Sequence, residues 1–225
     1  MSAAREIANL RSIPTNGNIL LDFTAGDALE SGGTCNIAAG LNALGAATTG
    51  DDNIALGRLA LGAGTLTGGV NIAIGATAGD AITSGACNIA IGLNALGAAT
   101  DNCDNIAIGQ SALAASVNDG DQNVAIGKAA MSAGDVSGFT NVAIGTDALK
   151  GVTTGSRNVA IGDCALGGAT VTACHNVALG TYAADALTSG ACNIALGLNA
   201  LGAATDNCDN IAIGQAALAA SVNDG

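Results

Sequence analysis

An all-β fold, a parallel β-solenoid or β-roll of about twelve coils, is predicted by three observations. The pattern Asn, Ile or Val, Ala, Ile or Leu, Gly recurs with its Asn at 36, 53, 71, 88, 105, 123, 141, 158, 176, 193 and 210, always 17 or 18 residues apart. The stretch from Cys87 to Gly120 returns between Cys192 and Gly225 with two changes, Leu196 for Ile91 and Ala216 for Ser111, at a distance of 105 residues or six repeats. Composition is the third: aromatic residues make up 1% of the chain, Gly numbers 34, and there is one Pro and no Trp, so any core is thin and built from Ile, Val, Leu and Ala. With 49% hydrophobic and 11% charged residues the chain lacks the polar composition that keeps chains disordered.

Two regions follow in chain order. Residues 1–17 fall outside the rhythm; within them SAAREIANLRS (2–12) suits a short helix with Ile7 and Leu10 on one side, halted near Pro14. This segment either caps the first coil, whose strand edge is otherwise open, or is a docking handle for a larger assembly, and its Arg5 and Arg11 favour an acidic neighbour. Residues 18–225 form the repeat domain. Its first, degenerate copy, NILLDFTAGDAL from Asn18, aligns without a gap on NIAIGATAGDAI from Asn71.

Each repeat predicts two short strands, one at NIAIG and one near the following Ala-Leu pair, joined by turns rich in Gly, Asn and Asp. Helices fit poorly because Gly, Thr, Asn and Asp interrupt the Ala-Leu segments too often. Strands this short cannot bury a face alone, so each coil stacks in parallel on the previous one, and twelve coils at about 4.8 Å give a rod roughly 58 Å long.

Alternation along the strand assigns two faces. One assignment turns the residue after Asn and the residue two further on, such as Ile89 and Ile91, into the coil. The Ala between them then points outward. Ala38, Ala55, Ala73, Ala90, Ala107, Ala125, Ala143, Ala160, Ala178, Ala195 and Ala212 never give way to a larger or charged residue. A free surface would vary more, so this stripe is expected to pack closely against another chain. The recurring Asn is expected to bond the turn backbone or the Asn of the neighbouring coil as a ladder, and the Gly after the strand to supply a conformation closed to other residues.

The NIAIG and NVAIG copies, followed by small residues and Ala-Leu, resemble the head repeats of trimeric autotransporter adhesins and the similar repeats of bacteriophage tail fibres. The resemblance covers residues 18–225. It implies a parallel β-roll, left-handed in the adhesin heads, with three chains around a common axis. Two departures stand out: the adhesin heads use repeats near 14 residues, and their parents carry a signal peptide and a membrane anchor. MSAAREIANLRSIPTNGNILLDF has no apolar run fit for a signal peptide, and no 18-residue apolar run occurs anywhere. Assembly in the cytoplasm and residence on a virion or extracellular appendage are expected. Fibres of this type often end in a receptor-binding tip or a folding chaperone; neither follows the last repeat, which stops at the point where Gly120 continues into DQNVAIG.

Reactive side chains are few. Cys87 and Cys192 sit one residue before their Asn, and Cys103, Cys174 and Cys208 sit two before, so neighbouring coils bring thiols within about 5 Å. Cys87 with Cys103, and Cys192 with Cys174 or Cys208, are the candidate disulfides; a row of reduced thiols is the other reading. Cys174 and His175, the one Cys-His neighbourhood, are adjacent strand residues aimed at opposite faces and make a poor dyad or metal site. Zinc-protease, CxxC and phosphate-loop motifs do not occur. The acidic turns at 51–53, 101–105, 118–123 and 206–210 offer oxygen ligands for Ca²⁺ but do not match the nine-residue calcium β-roll, and solvated turns are the reading taken.

A formal charge of -12, from 18 acidic and 6 basic residues, disfavours nucleic acid and anionic membranes as partners. The expectation is a structural fibre protein: a homotrimeric shaft that spaces or adheres, with no catalysis and no cofactor. Its partners would be copies of itself, other virion or appendage proteins through the N-terminal segment, and a cell-surface receptor. The alternatives are an end-to-end stacked filament and a solitary solenoid recognising ice or a polysaccharide. Thr48, Thr65, Thr83 and Thr100 are too irregularly spaced to favour an ice face.

Overall fold

A computed structural model describes residues 16–22, 24–29, 32–116, 120–132, 134–168 and 170–220. They form a single sheet of twelve three-residue strands, from β1 (Ile19–Leu21) to β12 (Ile211–Ile213), ordered as in the sequence and paired in parallel. The chain is a β-solenoid of about 11 turns, and no helix occurs among the described residues. The helix expected over 2–12 lies outside them.

Registration is set by the motif itself. Counting the repeated Asn as position 0, the Ala at +2 of each coil stands over the Ala at +2 of the next, as in Ala90 on Ala107 and Ala107 on Ala125. The strands bond between coils: Ile106 N–H donates to the Asn123 carbonyl, and Val124 N–H to that of Asn141, both at 2.8 Å, while the corners add turn bonds within a coil, such as Ala47 N–H to the Leu44 carbonyl at 3.2 Å.

One strand per coil forms, against the two expected. The Ala-Leu segment is a corner rather than a strand, because the residues at +6 and +8 hold positive φ, for example Asn94 at 58° and Leu96 at 50°. Alternating left-handed residues cannot propagate a pleated strand, though the backbone still bonds the neighbouring coil, as in Leu96 N–H to the Ala112 carbonyl at 2.9 Å. A left-handed Leu costs roughly 1–2 kcal/mol. Complete burial of Leu44, Leu61, Leu96 and Leu113 compensates. The Gly at +4 is required on two counts: Gly75 has φ +132°, and a Cβ on it would lie 2.6 Å from the Gly92 carbonyl oxygen of the next coil.

The interior holds five columns. Asn at 0 stands just before the strand and Ala at +2 within it, Ala at +7 and in most coils Leu at +8 come from the corner, and the return segment adds a residue at +11 or +13 that is apolar except at Ser116. In six coils the corner and return residues trade volume. Where +8 is small (Gly26, Gly79, Ala184), the return residue is large (Leu29, Ile82, Leu187); at Leu44, Leu96 and Leu201 the return residue is Ala (Ala47, Ala99, Ala204). Other coils bury a large residue at both places, as with Leu61 and Leu66 or Leu149 and Val152. The Ile82 Cδ1 atom sits 3.0 Å from where a Gly79 Cβ would be, so it occupies the space that Leu takes elsewhere. Coils of the small-large kind begin at Asn18, Asn71 and Asn176, and each precedes a coil reading Cys-Asn-Ile-Ala with Leu-Asn-Ala-Leu after it.

The Asn column closes every coil. From Asn36 to Asn210 each Asn backbone N–H donates to the Oδ1 of the preceding Asn at 2.8–3.0 Å. From Asn18 to Asn193 each Nδ2 donates to a carbonyl 14 or 15 residues ahead, at the end of the same coil, over 2.6–3.1 Å.

Asn141→Ala leaves the buried Asn158 N–H and Gly155 carbonyl unpartnered. It is expected to lower unfolding stability by about 2–5 kcal/mol in urea, and a change under about 1 kcal/mol contradicts the ladder. Ile82→Ala opens a void and is expected to cost about 2–4 kcal/mol, while adding Gly79→Leu in the same chain restores at least half of the loss. Two additive losses in the double variant would show that the two positions do not share one space.

Candidate functional site, the outward sheet face and its edges

The structure reverses the face assignment expected from the sequence. The eleven Ala at +2, from Ala38 to Ala212, are 0–1% exposed within the single chain, so this stripe points inward and offers nothing for another chain to pack on. The physical reason lies two residues upstream. The Asn carboxamide bonds inside the coil, and alternation then forces the residue at +2 inward with it. Ala stands there in eleven coils because the coil is narrow and the corner and return residues fill what remains; the first described coil has Leu20 there, beside Gly26 at +8.

The residues at +1 and +3 therefore form the outward face. They are Ile, Val or Leu in every described coil except at Ala39, and they stack as two parallel columns from β1 to β12. Exposure in the interior coils reaches 37% at Ile74 and Ile161 and 40% at Leu196. The strip spans eleven inter-strand spacings, roughly 53 Å by 7 Å, which is several hundred Å² of β-branched surface. A patch of that size is on the scale of the largest apolar patch of an ordinary monomer, and such patches are often functional.

Two exposed edges flank the strip. Position -1 carries a left-handed residue in each coil, among them Asp52 at φ 57°, Asp104 at 59°, Arg157 at 59° and His175 at 62°. Position +5 follows the Gly and includes Leu41, Arg58, Leu93, Lys128, Asp163 and Leu198. The Arg157 guanidinium lies 4.7 Å from the Phe139 ring centre. Among the described residues the one ion pair is Lys150 with Asp147 at 3.1 Å, so Arg58, Lys128 and Asp163 have no ionic partner among them.

None of the candidate disulfides forms: Cys87, Cys103, Cys192 and Cys208, like the other three cysteines, are free thiols. Register explains this. Cys87 and Cys192 belong to the -1 column, whereas Cys103, Cys174 and Cys208 belong to the -2 column and are stacked on Ala86, Ser156 and Ala191. Their Sγ atoms accept the N–H groups of those residues at 3.3–3.4 Å. Asp51, Asp121 and Ser156 do the same with oxygen for Thr34, Cys103 and Phe139 at 2.7–3.1 Å. Thiols at -2 are therefore one chemical choice among several acceptors that satisfy an edge amide. The spacing of Cys, Asp and Ser two residues before Asn carried that signal in the sequence.

The structure also aligns threonines that look irregular in sequence. Thr67, Thr83 and Thr100 stack, as do Thr172, Thr188 and Thr205, through N–H to carbonyl bonds of 2.7–2.8 Å. Four of their hydroxyls donate to the same carbonyls at 3.0–3.4 Å, which makes them part of the coil's own bonding. Among the described residues no three His, Cys, Asp or Glu side chains converge as a metal-binding group, the acidic turns and Cys174-His175 included.

Asp80 and Asp185, both at +9, are half-buried carboxylates pushed above the ordinary carboxylate range, in each case by desolvation. The backbone amides of Asp185 and Ala186 act in the opposite direction on Asp185, whose Oδ1 is buried without a partner. No protein-family model, curated protein or solved structure matches the chain.

The raised folded-state pKa means that the folded form holds its proton more tightly than the unfolded form. Stability is therefore lost as pH rises through the window above the ordinary carboxylate value. Asp185→Asn is expected to raise the melting temperature at pH 7 and to leave it unchanged near about pH 2, where Asp185 is protonated in both states. An equal shift at both pH values would assign the effect to packing instead.

Proposed function

We propose that this chain is a structural shaft, a rod that sets distance by the number of its coils and associates with copies of itself through the outward Ile and Val face. The setting we infer is a phage tail fibre or a similar surface appendage, with spacing or adhesion as the task and no chemistry performed. The carrying observation is the uninterrupted apolar strip from β1 to β12, which adds the same two side chains at every coil. A catalytic site needs a few unlike groups held once, whereas this surface repeats like groups along a line. The likeness of the NIAIG copies to adhesin-head and fibre repeats supports the same reading, and three copies around a common axis is the arrangement it suggests.

Such a strip suits a homo-oligomer well. A flat β-branched surface has little side-chain entropy to lose, and identical copies present identical strips of equal length. The Ile and Val columns reach solvent in a single chain, so changing them tests association without emptying the core.

Mass in solution, by sedimentation or light scattering, is expected to correspond to three chains at micromolar concentration. Ile91→Lys with Ile108→Lys is expected to weaken association by about 100-fold or more while leaving the β-sheet circular dichroism intact, because an unpaired charge is then buried at the contact. A wild-type protein that stays monomeric at high concentration would overturn the proposal. So would a doubly substituted chain that assembles as the parent does.

A further inference from the structure

The two edges of the apolar strip carry matched residues in seven coils, while Asp104 with Gln110, Gln122 with Lys128, His175 with Thr181 and Asp209 with Gln215 set one charged or titratable residue against a neutral one. In the coil beginning at Asn53, Asp52 stands at -1 and Arg58 at +5; in the coil beginning at Asn158 the order is reversed, with Arg157 at -1 and Asp163 at +5. The same correspondence holds without charge: Cys35 with Leu41, Cys87 with Leu93, Cys192 with Leu198, Val70 with Ala76, and Thr140 with Thr146. No described coil sets like charges at its two edges. The Cys-Leu coils are close copies of one another, so the weight rests on the two charged coils of opposite sense.

Within one chain this complementarity has no outlet. Six residues separate -1 from +5, a span of up to about 20 Å against a screening length of about 8 Å at physiological salt. Asp52, Arg58, Arg157 and Asp163 are all exposed, and none of them forms an ion pair among the described residues.

We infer that the partner of each edge is the opposite edge of a second copy of this chain, held parallel and in register. The assembly axis runs along the solenoid axis. In any such ring the strand of one copy leads toward the start of its neighbour's strand, so +5 of one copy meets -1 of the next at the same height. Arg58 then faces Asp52 of the next copy, Asp163 faces Arg157 of the next copy, and the exposed Leu41, Leu93 and Leu198 face thiols rather than carboxylates.

Other offsets fail. Sliding one copy by one coil in one direction brings Asp163 opposite His175 but sets Leu41, Leu93 and Leu198 against Asp52, Asp104 and Asp209, and leaves Arg58 against Val70. Sliding it in the other direction pairs Lys128 with Asp104 but strands Arg58 on Cys35 and Asp163 on Thr140. The apolar columns, nearly the same at every coil, cannot fix the register themselves. The edges do so, as a specificity element that repels slipped pairings.

This inference rests on the proposed self-association, and the test separates the two. Leu93→Cys in the full-length chain, oxidised with diamide, is expected to give covalent multimers on non-reducing gels through Cys87 of the next copy. These are lost when Cys87→Ser is added; Leu198→Cys with Cys192 repeats the test at a second height should the first variant fold poorly. Arg58→Asp alone is expected to weaken association by about tenfold at low salt, and Asp52→Arg added to it to restore the parent affinity. A multimer by mass that neither cross-links nor shows charge rescue would overturn the register and leave the self-association standing. A strict monomer would overturn both.

Discussion

The buried Asn column is the constraint on which the other features depend. Each carboxamide is shared between two coils and between the two ends of one coil: its oxygen takes the backbone N–H of the next Asn, and its nitrogen holds the carbonyl that ends its own turn. A coil of three-residue strands has too few ladder bonds to set its own circumference. The Asn sets it, because a fixed side chain must reach a carbonyl 14 or 15 residues ahead. Placing Asn inside also places Ala inside two residues later and sends Ile and Val outward. One polar residue thereby dictates the core, the diameter and the sticky surface.

Around that column six coils are packed by substitution in pairs. Leu at the corner with Ala on the return segment, or Gly or Ala with Ile or Leu, fills the same cross-section in two ways, while coils such as that of Leu61 and Leu66 hold a large residue at both places. The left-handed corner positions let a 17- or 18-residue turn close without a long loop, and the stack above and below holds them in place. Polar edge residues then vary freely, since the backbone at -2 needs only an acceptor on the next coil. Asp, Ser and Cys all serve.

Period, strand position and parallel stacking were legible because they depend on spacing alone, and the NIAIG alternation with its following Gly marks each strand. The inward Ala was not, since alternation gives two faces without saying which is inside. The decision belonged to Asn141 and its equivalents, whose carboxamides have no intramolecular use on an outer face. The second strand failed for a different reason: nothing in Leu-Asn-Ala-Leu announces that Asn94 and Leu96 adopt positive φ. That geometry is imposed by the stack. The cysteines were placed on the right coils, but one residue of offset between Cys87 and Cys103 separates two columns, and that offset decides between a bond and an amide cap. The edge complementarity between Asp52 and Arg58 was present in the sequence and gained meaning only once both were seen to flank one exposed strip.

The most direct measurement is hydrogen exchange, by nuclear magnetic resonance, at the backbone and carboxamide N–H groups of the repeated Asn in the interior coils. If the column is buried and shared between coils, both kinds of N–H in Asn71 to Asn176 exchange only when the whole rod opens, with protection matching the global unfolding free energy. Carboxamides that exchange within minutes while the neighbouring strand amides stay protected would place the Asn on the outside, and the account of the core and of the outward face would fall with it.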